Sequence, residues 1–334
     1  AMTQTSINSP SGGVPPKNEG RLAVLDLARG VAIVAMAIYH FSWDLSWFAF
    51  VDWDVGGAPG WRAFAVSIAA SFLILVGVSL DLAHHKEIRW RSFWKRFALI
   101  TASAACVSIG TYFAFGDSFV RFGILHCIAV SSLIALPFTR LPLLYALVAS
   151  AIILTLPHWA SSSVFDGDMW LWTGLGTPAM PSVDYVPLAP WTGATLLGVA
   201  LSKAIRQSAV MEPLKKMGFG GLAGRALRWM GRHSLPIYLL HQPLLYGLVW
   251  SVTLLGPNMD RTSRSFQTNC AQSCTTSMGN EALCVAACRC TLDGLKLENI
   301  WEPLLSSPQD PGLQTRMNQL YSACLAAPGT DTID

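Results

Sequence analysis

The chain has 334 residues, of which 52% are hydrophobic and 13% are charged, and its formal net charge is +3. Because a soluble domain carries roughly a quarter of charged residues, this composition excludes an ordinary soluble protein and indicates a membrane protein. The small and scattered excess of positive charge forms no basic stripe of the kind that binds nucleic acid, so we expect no nucleic-acid partner.

Residues 1–20 are polar and rich in Pro, Gly, Ser and Asn, and we expect a disordered tail there. Apolar stretches that can cross a bilayer follow, the fourth and fifth being the shortest. We place the spans at 22–43, 62–84, 94–116, 123–138, 141–157, 187–206 and 234–256. The expected fold is an all-α integral membrane protein, a helix bundle of about seven transmembrane helices (seven to ten), with a small Cys-rich helical domain at the C-terminal side.

The distribution of Lys and Arg predicts the orientation of these spans. The segment 85–96 holds five of these residues and the segment 203–232 holds seven, whereas 44–61 and 158–190 hold none. Since positively charged loops stay cytoplasmic, we expect a cytoplasmic N-terminus and an extracytoplasmic C-terminal domain. Arg121 lies in a short outer loop, which is an exception to this rule, and we therefore expect it to have a functional role.

The cysteines after the last span indicate disulfides. Two C-x3-C pairs each place their sulfurs on one face of a short helix. If the two helices pack antiparallel, Cys270 pairs with Cys288 and Cys274 with Cys284, which leaves Cys290 for Cys324. A metal or iron–sulfur site is the alternative, but those sites commonly use C-x2-C spacing. A disulfide framework also suits an extracytoplasmic compartment, and we expect no metal.

Ionisable residues recur on one face of the first span, in "LDLARGVAIVAMAIYHFSWDL". At 100° per residue, Asp26, Arg29, His40 and Asp44 share a face, and Arg29 and His40 lie roughly 16 Å apart along the axis. A structural explanation is open, in which Asp26 and Arg29 form an ion pair and His40 bonds a neighbouring helix. Because ionisable groups are costly at membrane depth, the aligned set favours a functional site.

Further polar residues lie at membrane depth or at span ends. They fall in "VRFGILH", "SVDYVPLAPW" and "SLPIYLLHQPLL", and comprise Arg121, His126, Asp184, Tyr185, Tyr238, His241 and Gln242. Each is a weak indication by itself, since a Tyr at a span end is usually an interface anchor and His241 can equally be a core residue. Trp43 belongs to an outer aromatic belt whose faces also suit sugar rings.

Together these motifs resemble a known superfamily. "LDLARGVAIVAMAIYH" is similar to the first-helix signature of transmembrane acyltransferases, and the three later motifs resemble the bacterial branch related to heparan-alpha-glucosaminide N-acetyltransferase. The resemblance implies acetyl transfer from cytoplasmic acetyl-CoA, across a bacterial inner membrane, to an extracytoplasmic amine or hydroxyl of a glycan or glycolipid. Two features depart from it: residues 41–61 contain no histidine, and the family usually has about ten spans.

The resemblance and the chemistry of the side chains together assign roles. His40 corresponds to the catalytic histidine, Asp44 can orient its imidazole, and Arg121 or Tyr238 can stabilise the oxyanion. The donor phosphates are expected at Arg29, Lys95 and Arg96. The acceptor is expected near a wider set of residues, Trp43, His126, Asp184, Tyr185, His241 and Gln242.

Two other classes of function compete with an acyltransferase. A proton-coupled transporter also needs intramembrane His, Asp and Arg, but it usually has internal repeats, and the Arg–His face occurs once here. A membrane anchor for the Cys-rich domain does not explain polar spans. We therefore expect a cytoplasmic tail at 1–20, an acyltransferase domain at 21–257 and a Cys-rich domain at 258–334. The sequence leaves open whether the chain is a monomer or a homodimer.

Overall fold

A computed structural model describes residues 22–48, 50–177, 182–217, 220–255 and 261–326. The tail predicted at 1–20 lies outside these residues. Throughout the described ranges the ordered elements are helices and short 3₁₀ turns, apart from one isolated bridge between Phe122 and Tyr185. The predicted all-α membrane fold is confirmed.

The α-helices in the described ranges, numbered in chain order, are α1 (Ala23–Trp47), α2 (Pro59–His84), α3 (Trp90–Phe115), α4 (Ile124–Ala135), α5 (Leu143–Ala160), α6 (Leu188–Gln207), α7 (Met211–Lys216), α8 (Gly221–Arg232), α9 (Ser234–Leu255), α10 (Arg261–Met278), α11 (Glu281–Leu297), α12 (Trp301–Ser306) and α13 (Pro311–Ala326).

Six of these helices, α1, α2, α3, α5, α6 and α9, are long and apolar enough to cross a bilayer. The span expected at 123–138 forms the shorter apolar helix α4. At 1.5 Å per residue α4 covers about 18 Å, less than the roughly 30 Å of a hydrocarbon core. The predicted fourth span is therefore an apolar helix that is too short to cross the core unaided.

The directions of α1 and α9 show how α4 counts in the topology. Near the start of α1, the backbone of Asp26 packs against Gly231, three residues before α9 begins. Further along both helices, the ring of His40 contacts the ring of His241. The two helices therefore run in the same direction. In addition, α4 runs parallel to α6, because Cys127 contacts Pro187 and Ser131 contacts Thr192 one turn later. Despite its short length, α4 therefore reverses the chain direction between α3 and α5.

The chain between α3 and α4 folds back along α3. Ser108 Oγ donates a hydrogen bond of 2.6 Å to the carbonyl of Val120, and the backbone N–H of Val120 donates to Thr111 Oγ1 over 3.0 Å. Val120 is thus level with the last two turns of α3, well before Phe115. This re-entrant segment, residues 116–123, therefore brings the start of α4 back alongside α3.

A buried carboxylate joins α2 to α6. Asp81 is 0% exposed, and its Oδ2 accepts hydrogen bonds from Ser202 Oγ over 2.7 Å and from Arg206 Nε over 3.0 Å. Lys203 Nζ lies 3.6 Å from the other oxygen and donates to the carbonyl of Thr139. Both oxygens of Asp81 therefore have cationic or hydrogen-bonding partners, as a buried carboxylate requires.

The chain divides into two compact units, each described separately. The first comprises residues up to His40 together with Gly56–Leu244. Its core lies among α2, α3, α4 and α6, around Leu73, Ile100 and Ile128. The second comprises Phe41–Val55 and the chain from Leu245 onward, which includes α10 to α13.

In the second unit, short helices surround a small apolar core. Leu292, Leu295, Trp301 and Leu304 are buried there. The side-chain oxygen of Asn280 accepts a hydrogen bond from the N–H of Leu283 and so caps the start of α11. A core of this size benefits from covalent cross-links.

Three disulfides cross-link the second unit, and they are the three predicted pairs, two from the helical spacing and Cys290–Cys324 as the remaining pair. Cys270–Cys288 and Cys274–Cys284 join α10 to α11, and Cys290–Cys324 joins α11 to α13. The first two pairs lie one turn apart on facing, antiparallel helices, which is what two C-x3-C motifs produce.

Candidate active site

Arg29, on the polar face of α1, is held by two neighbours. Its Nη1 lies 3.2 Å from Asp26 Oδ1, one turn earlier, and its Nη2 donates to Ser79 Oγ of α2. The ion pair considered as a structural explanation is therefore present. Because the second bond reaches another helix, Arg29 is also fixed at the boundary between α1 and α2.

The same carboxylate reaches α8. Arg232 Nε donates to Asp26 Oδ2 over 3.2 Å. Beside this bond the backbones touch, because a Cβ on Gly231 would lie 1.8 Å from the carbonyl oxygen of Asp26, and one on Gly30 would lie 2.0 Å from that of Leu227. Glycine is required at both places, and the close approach brings Arg232 beside Arg29.

A cavity of about 600 Å³ opens between α1, α2, α3, α4 and the start of α9. Along α2 its wall extends from Ala83 to Phe72, which is roughly 16 Å of helix. The cationic side chains that line it are Arg29, Arg89, Arg96 and Arg232. They lie near the ends of the helices that charge asymmetry predicts to be cytoplasmic, while the deeper wall is mostly apolar.

Tyr238 lies at the deep part of this cavity and begins a row of three rings. The ring of His241 lies 5.7 Å from that of Tyr238, and the ring of His40 lies 4.9 Å from that of His241, edge to face. His40 was predicted from α1, and Tyr238 and His241 from α9. The structure brings these three residues together.

The hydrogen bonds of His241 determine its tautomer. Its Nδ1 lies 2.6 Å from the backbone carbonyl of Tyr238. A carbonyl oxygen only accepts, so Nδ1 carries the proton and Nε2 of the neutral ring has a free lone pair. Within the described part of the chain, this buried Nε2 has no hydrogen-bond partner.

Two of the sequence motifs meet at the N-terminal end of α4. The N–H of Val186 donates to the carbonyl of Phe122, and the N–H of Ile124 donates to Asp184 Oδ2, both over 3.0 Å. Burial raises the pKa of Asp184 to about 6, and the hydrogen bond from Ile124 limits the rise. Because its bond is to the N–H of Ile124, Asp184 lies at the N-terminus of α4, where a negative charge is favourable.

Other predicted residues near this end have local partners. His126 Nδ1 accepts from the N–H of Gly123 over 3.3 Å, and its Nε2 lies 3.4 Å from Ser108 Oγ. Tyr185 donates its hydroxyl proton to the carbonyl of Leu171. The guanidinium of Arg121 lies 5.2 Å from the ring centre of Phe119. The contacts of Arg121 and His126 involve the re-entrant segment, whereas that of Tyr185 lies outside it.

The remaining predicted residues lie elsewhere. Trp43 and Asp44 belong to the second unit, where Trp43 stacks on Trp47 at 4.9 Å and Asp44 is 0% exposed. Gln242 is half-buried on α9. Lys95 is exposed and does not line the cavity, although Arg96 beside it does. The predicted roles of all four stay predictions.

Sequence reasoning missed three charged groups. Arg89 and Arg232 line the cavity, yet in the sequence they were only members of basic segments. Asp81 was not singled out, although an acid inside the predicted span 62–84 is a recognisable signal. The Ser79 hydroxyl that holds Arg29 had no such signal, because serine is common in membrane helices.

Comparison with known proteins gives one family. The sequence model described as heparan-alpha-glucosaminide N-acetyltransferase, catalytic, matches residues 21–243. The match includes both the arginine-lined cavity and the ring row of His40, Tyr238 and His241, and it ends before the Cys-rich region. No curated protein and no solved structure matches the chain.

Proposed function

Because this chain belongs to the heparan-alpha-glucosaminide N-acetyltransferase catalytic family, we propose that it moves an acetyl group from cytoplasmic acetyl-CoA to a sugar amine or hydroxyl on the extracytoplasmic side. That it is a multi-pass membrane acetyltransferase follows from the family and from the six apolar helices. The donor, the acceptor and the direction are our proposals.

One observation carries the proposal, namely that the arginine-lined cavity leads to the row of Tyr238, His241 and His40. Acetyl-CoA combines a polyanionic nucleotide with a long, slender arm that ends in the thioester. The four arginines suit the phosphates, since a guanidinium binds them with two parallel hydrogen bonds. The mostly apolar wall beyond them suits the arm, which places the acetyl group at the deep end.

At that end the side chains needed for transfer are present. Thiolate is a good leaving group, so the reaction needs a base for the acceptor and a donor for the oxyanion. A neutral imidazole is suited to the first role at neutral pH, and we assign it to His40. We assign the oxyanion to the hydroxyl of Tyr238, because Tyr238 lines the cavity whereas Arg121 packs over Phe119. Asp44, one helical turn after His40 in the sequence, remains the proposed orienting group.

The charge asymmetry supports the proposed direction. With the segments 85–96 and 203–232 in the cytoplasm, the cavity arginines face the compartment that holds acetyl-CoA. The N-terminal tail is then cytoplasmic, and the Cys-rich domain at 258–334 is on the opposite, oxidising side. We propose a bacterial inner membrane as the location. The acceptor would approach along the outer motifs that hold Asp184 and Tyr185.

The transporter alternative has less support. Proton-coupled transport explains intramembrane His and Arg equally well, but it gives no reason for four arginines around one cavity end. Membership of an acetyltransferase family favours group transfer.

The test is acetyl transfer by the full-length protein in liposomes of known protein orientation. Labelled acetyl-CoA is supplied on the side of the 85–96 segment, and a panel of amino sugars and envelope glycans on the other. We expect labelled glycan on the acceptor side, and a rate at least roughly 10²-fold lower for His40→Ala, the usual contribution of a general base.

Two results would contradict the proposal. If no acceptor in the panel is labelled and the protein instead catalyses proton-coupled solute uptake, the protein is a transporter. If transfer occurs only with the donor on the side of the Cys-rich domain, the direction is wrong.

A further inference from the structure

The position of His241 suggests more than substrate contact. Its Nδ1–H is committed to the carbonyl of Tyr238, within the same helix. This bond fixes the ring and leaves Nε2 as an acceptor. A buried acceptor without a partner is unfavourable, so such an atom in a functional site indicates a donor that arrives during the reaction.

His40 is the nearest ring that can supply that donor. The two imidazoles are in edge-to-face contact, with centroids 4.9 Å apart and planes at 62°. When His40 takes a proton from the acceptor it becomes an imidazolium with N–H groups on both nitrogens. After a small rotation, one of these N–H groups can reach the free lone pair on Nε2 of His241. Catalytic hydrogen bonds often tighten in this way only when substrate is bound.

We propose that His241 is a positioning residue for His40 in addition to Asp44: its Nε2 accepts a hydrogen bond from the His40 imidazolium that forms during acetyl transfer. The inference rests on the proposed function, in which His40 is the base. The chain of groups is the Tyr238 carbonyl, the His241 ring and the His40 ring. It has the logic of a base that is oriented by a second group, with a neutral imidazole in place of a carboxylate.

The bonds and protons balance without a further reactant. The acceptor nitrogen or oxygen forms a bond to the acetyl carbon, and the carbon–sulfur bond breaks with its electron pair left on sulfur. The proton of the acceptor passes to His40 and from there to the thiolate, which gives the free thiol. His241 keeps its own proton on Nδ1 throughout and only accepts a hydrogen bond.

A double-mutant cycle separates this role from a structural one. We expect His241→Ala to lower kcat by roughly 10- to 100-fold, the loss typical of removing a partner that orients a histidine, with little change in the KM for acetyl-CoA. In the His40→Ala background the same change should have almost no further effect, because residues that act as a unit are non-additive. His241→Gln, whose side-chain oxygen can accept, should recover part of the loss, whereas His241→Leu should not.

His233 provides a matched control. Its Nδ1 lies 2.9 Å from the carbonyl of Trp229, four residues earlier, whereas that of His241 bonds the carbonyl three residues earlier, and His233 is exposed. His233→Ala should leave kcat unchanged. A second measurement is independent of activity: NMR of ¹⁵N-histidine protein in nanodiscs should show His241 with a protonated Nδ1 and a bare Nε2.

Each outcome is decisive for one claim. An equal loss from His241→Ala in both backgrounds, or a protonated Nε2 on neutral His241, overturns the inference and leaves the proposed function standing. If a folded His40→Ala variant transfers acetyl at a near wild-type rate, His40 is not the base. If the wild-type protein transfers no acetyl group, the proposed function is wrong.

Discussion

Arg232 Nε lies 3.2 Å from Oδ2 of Asp26, a residue that precedes it by 206 positions in the chain. The other oxygen of this carboxylate is bound to Arg29. Asp26 is 1% exposed, while the side chains of Arg29 and Arg232 are 20% and 43% exposed. One buried anion therefore holds two cations on the wall of the cavity before any ligand arrives.

Replacing Asp26 by Asn should lower the stability of the protein and increase its response to the donor. Without the carboxylate, Arg29 and Arg232 repel each other, and we expect a loss of about 2 kcal/mol, less than the roughly 3–5 kcal/mol for breaking a fully buried pair. CoA phosphates can replace the missing charge. The rise in melting temperature on adding CoA should therefore be larger in Asp26→Asn than in the wild type. Asp117→Asn, at an exposed acid, is the control, and equal CoA responses would contradict the expectation.

Arg96 and Lys95 form a natural pair of test variants, because they are adjacent and only Arg96 lines the cavity. Arg96→Gln should weaken CoA binding, with a larger effect at low salt, since interactions between exposed charges are screened beyond about 10 Å at 0.1 M. Lys95→Gln should have little effect. Isothermal titration with CoA and with pantetheine distinguishes a phosphate contact, because pantetheine affinity should not change. Equal losses for both variants would move the phosphates out of the cavity.

Tyr238→Phe should lower kcat by roughly 10²- to 10³-fold, the usual contribution of one oxyanion donor. The ring that packs beside Ile33 and Met36 is preserved, so the fold should be retained. Donor affinity should change little, since the hydroxyl is needed only when charge develops on oxygen. Stopped assays of acetyl transfer at saturating acetyl-CoA measure this. Unchanged kcat would return the oxyanion role to Arg121, and Arg121→Gln is then the informative variant.

Asp184 gives a pH dependence with a defined sign. Burial raises the pKa of this carboxyl from 3.8 to about 6, so the folded state binds the proton more tightly than the unfolded state. Stability should therefore fall as the pH rises from about 4 to 6, by at most about 3 kcal/mol, and then level off. Asp184→Asn keeps an oxygen for the N–H of Ile124 and should flatten this part of the curve. A melting-temperature series in detergent from pH 4 to 7 tests it, and parallel curves for the two proteins would show that another group titrates.

The disulfides should differ in their contribution. Cys290–Cys324 closes a loop of 34 residues and Cys274–Cys284 one of 10. On the chain-entropy account the longer loop contributes roughly 1 kcal/mol more, so the Cys290→Ala/Cys324→Ala variant should be the less stable of the two double variants. Peptide mass mapping without reductant should show all three linked pairs. Six free thiols in that experiment would exclude both the disulfides and the oxidising compartment.

The sequence predicted features that depend on local spacing. Arg29 and His40 share a face because eleven residues make three turns, and the C-x3-C motifs pair because each places two sulfurs on one side of a helix. The meeting of "VRFGILH" with "SVDYVPLAPW" was expected only as a common outer location, and the hydrogen bond between Ile124 and Asp184 gives it a physical form.

The sequence could not predict features that depend on which helices are neighbours. Arg232 joins Asp26, and Asp81 joins Arg206, across 206 and 125 positions. Nothing in the local pattern distinguishes Arg96, which lines the cavity, from Lys95, which does not, since a one-residue step turns a helical side chain by 100°. The fold-back of residues 116–123 along α3 was missed because apolar composition does not reveal it.

That re-entrant segment determines how far an acceptor must travel. Val120 is level with Ser108, seven residues or about 10 Å before α3 ends at Phe115. Irregular backbone at such depth is tolerated only where protein or water surrounds it. Beside the last roughly 10 Å of α3, in the proposed orientation, irregular backbone and polar side chains therefore take the place of a spanning helix. A glycan hydroxyl or amine can keep part of its hydration over that distance. In the proposed function, the acceptor would therefore cross less apolar thickness than the surrounding lipid spans, and the acetyl group would make the rest of the crossing.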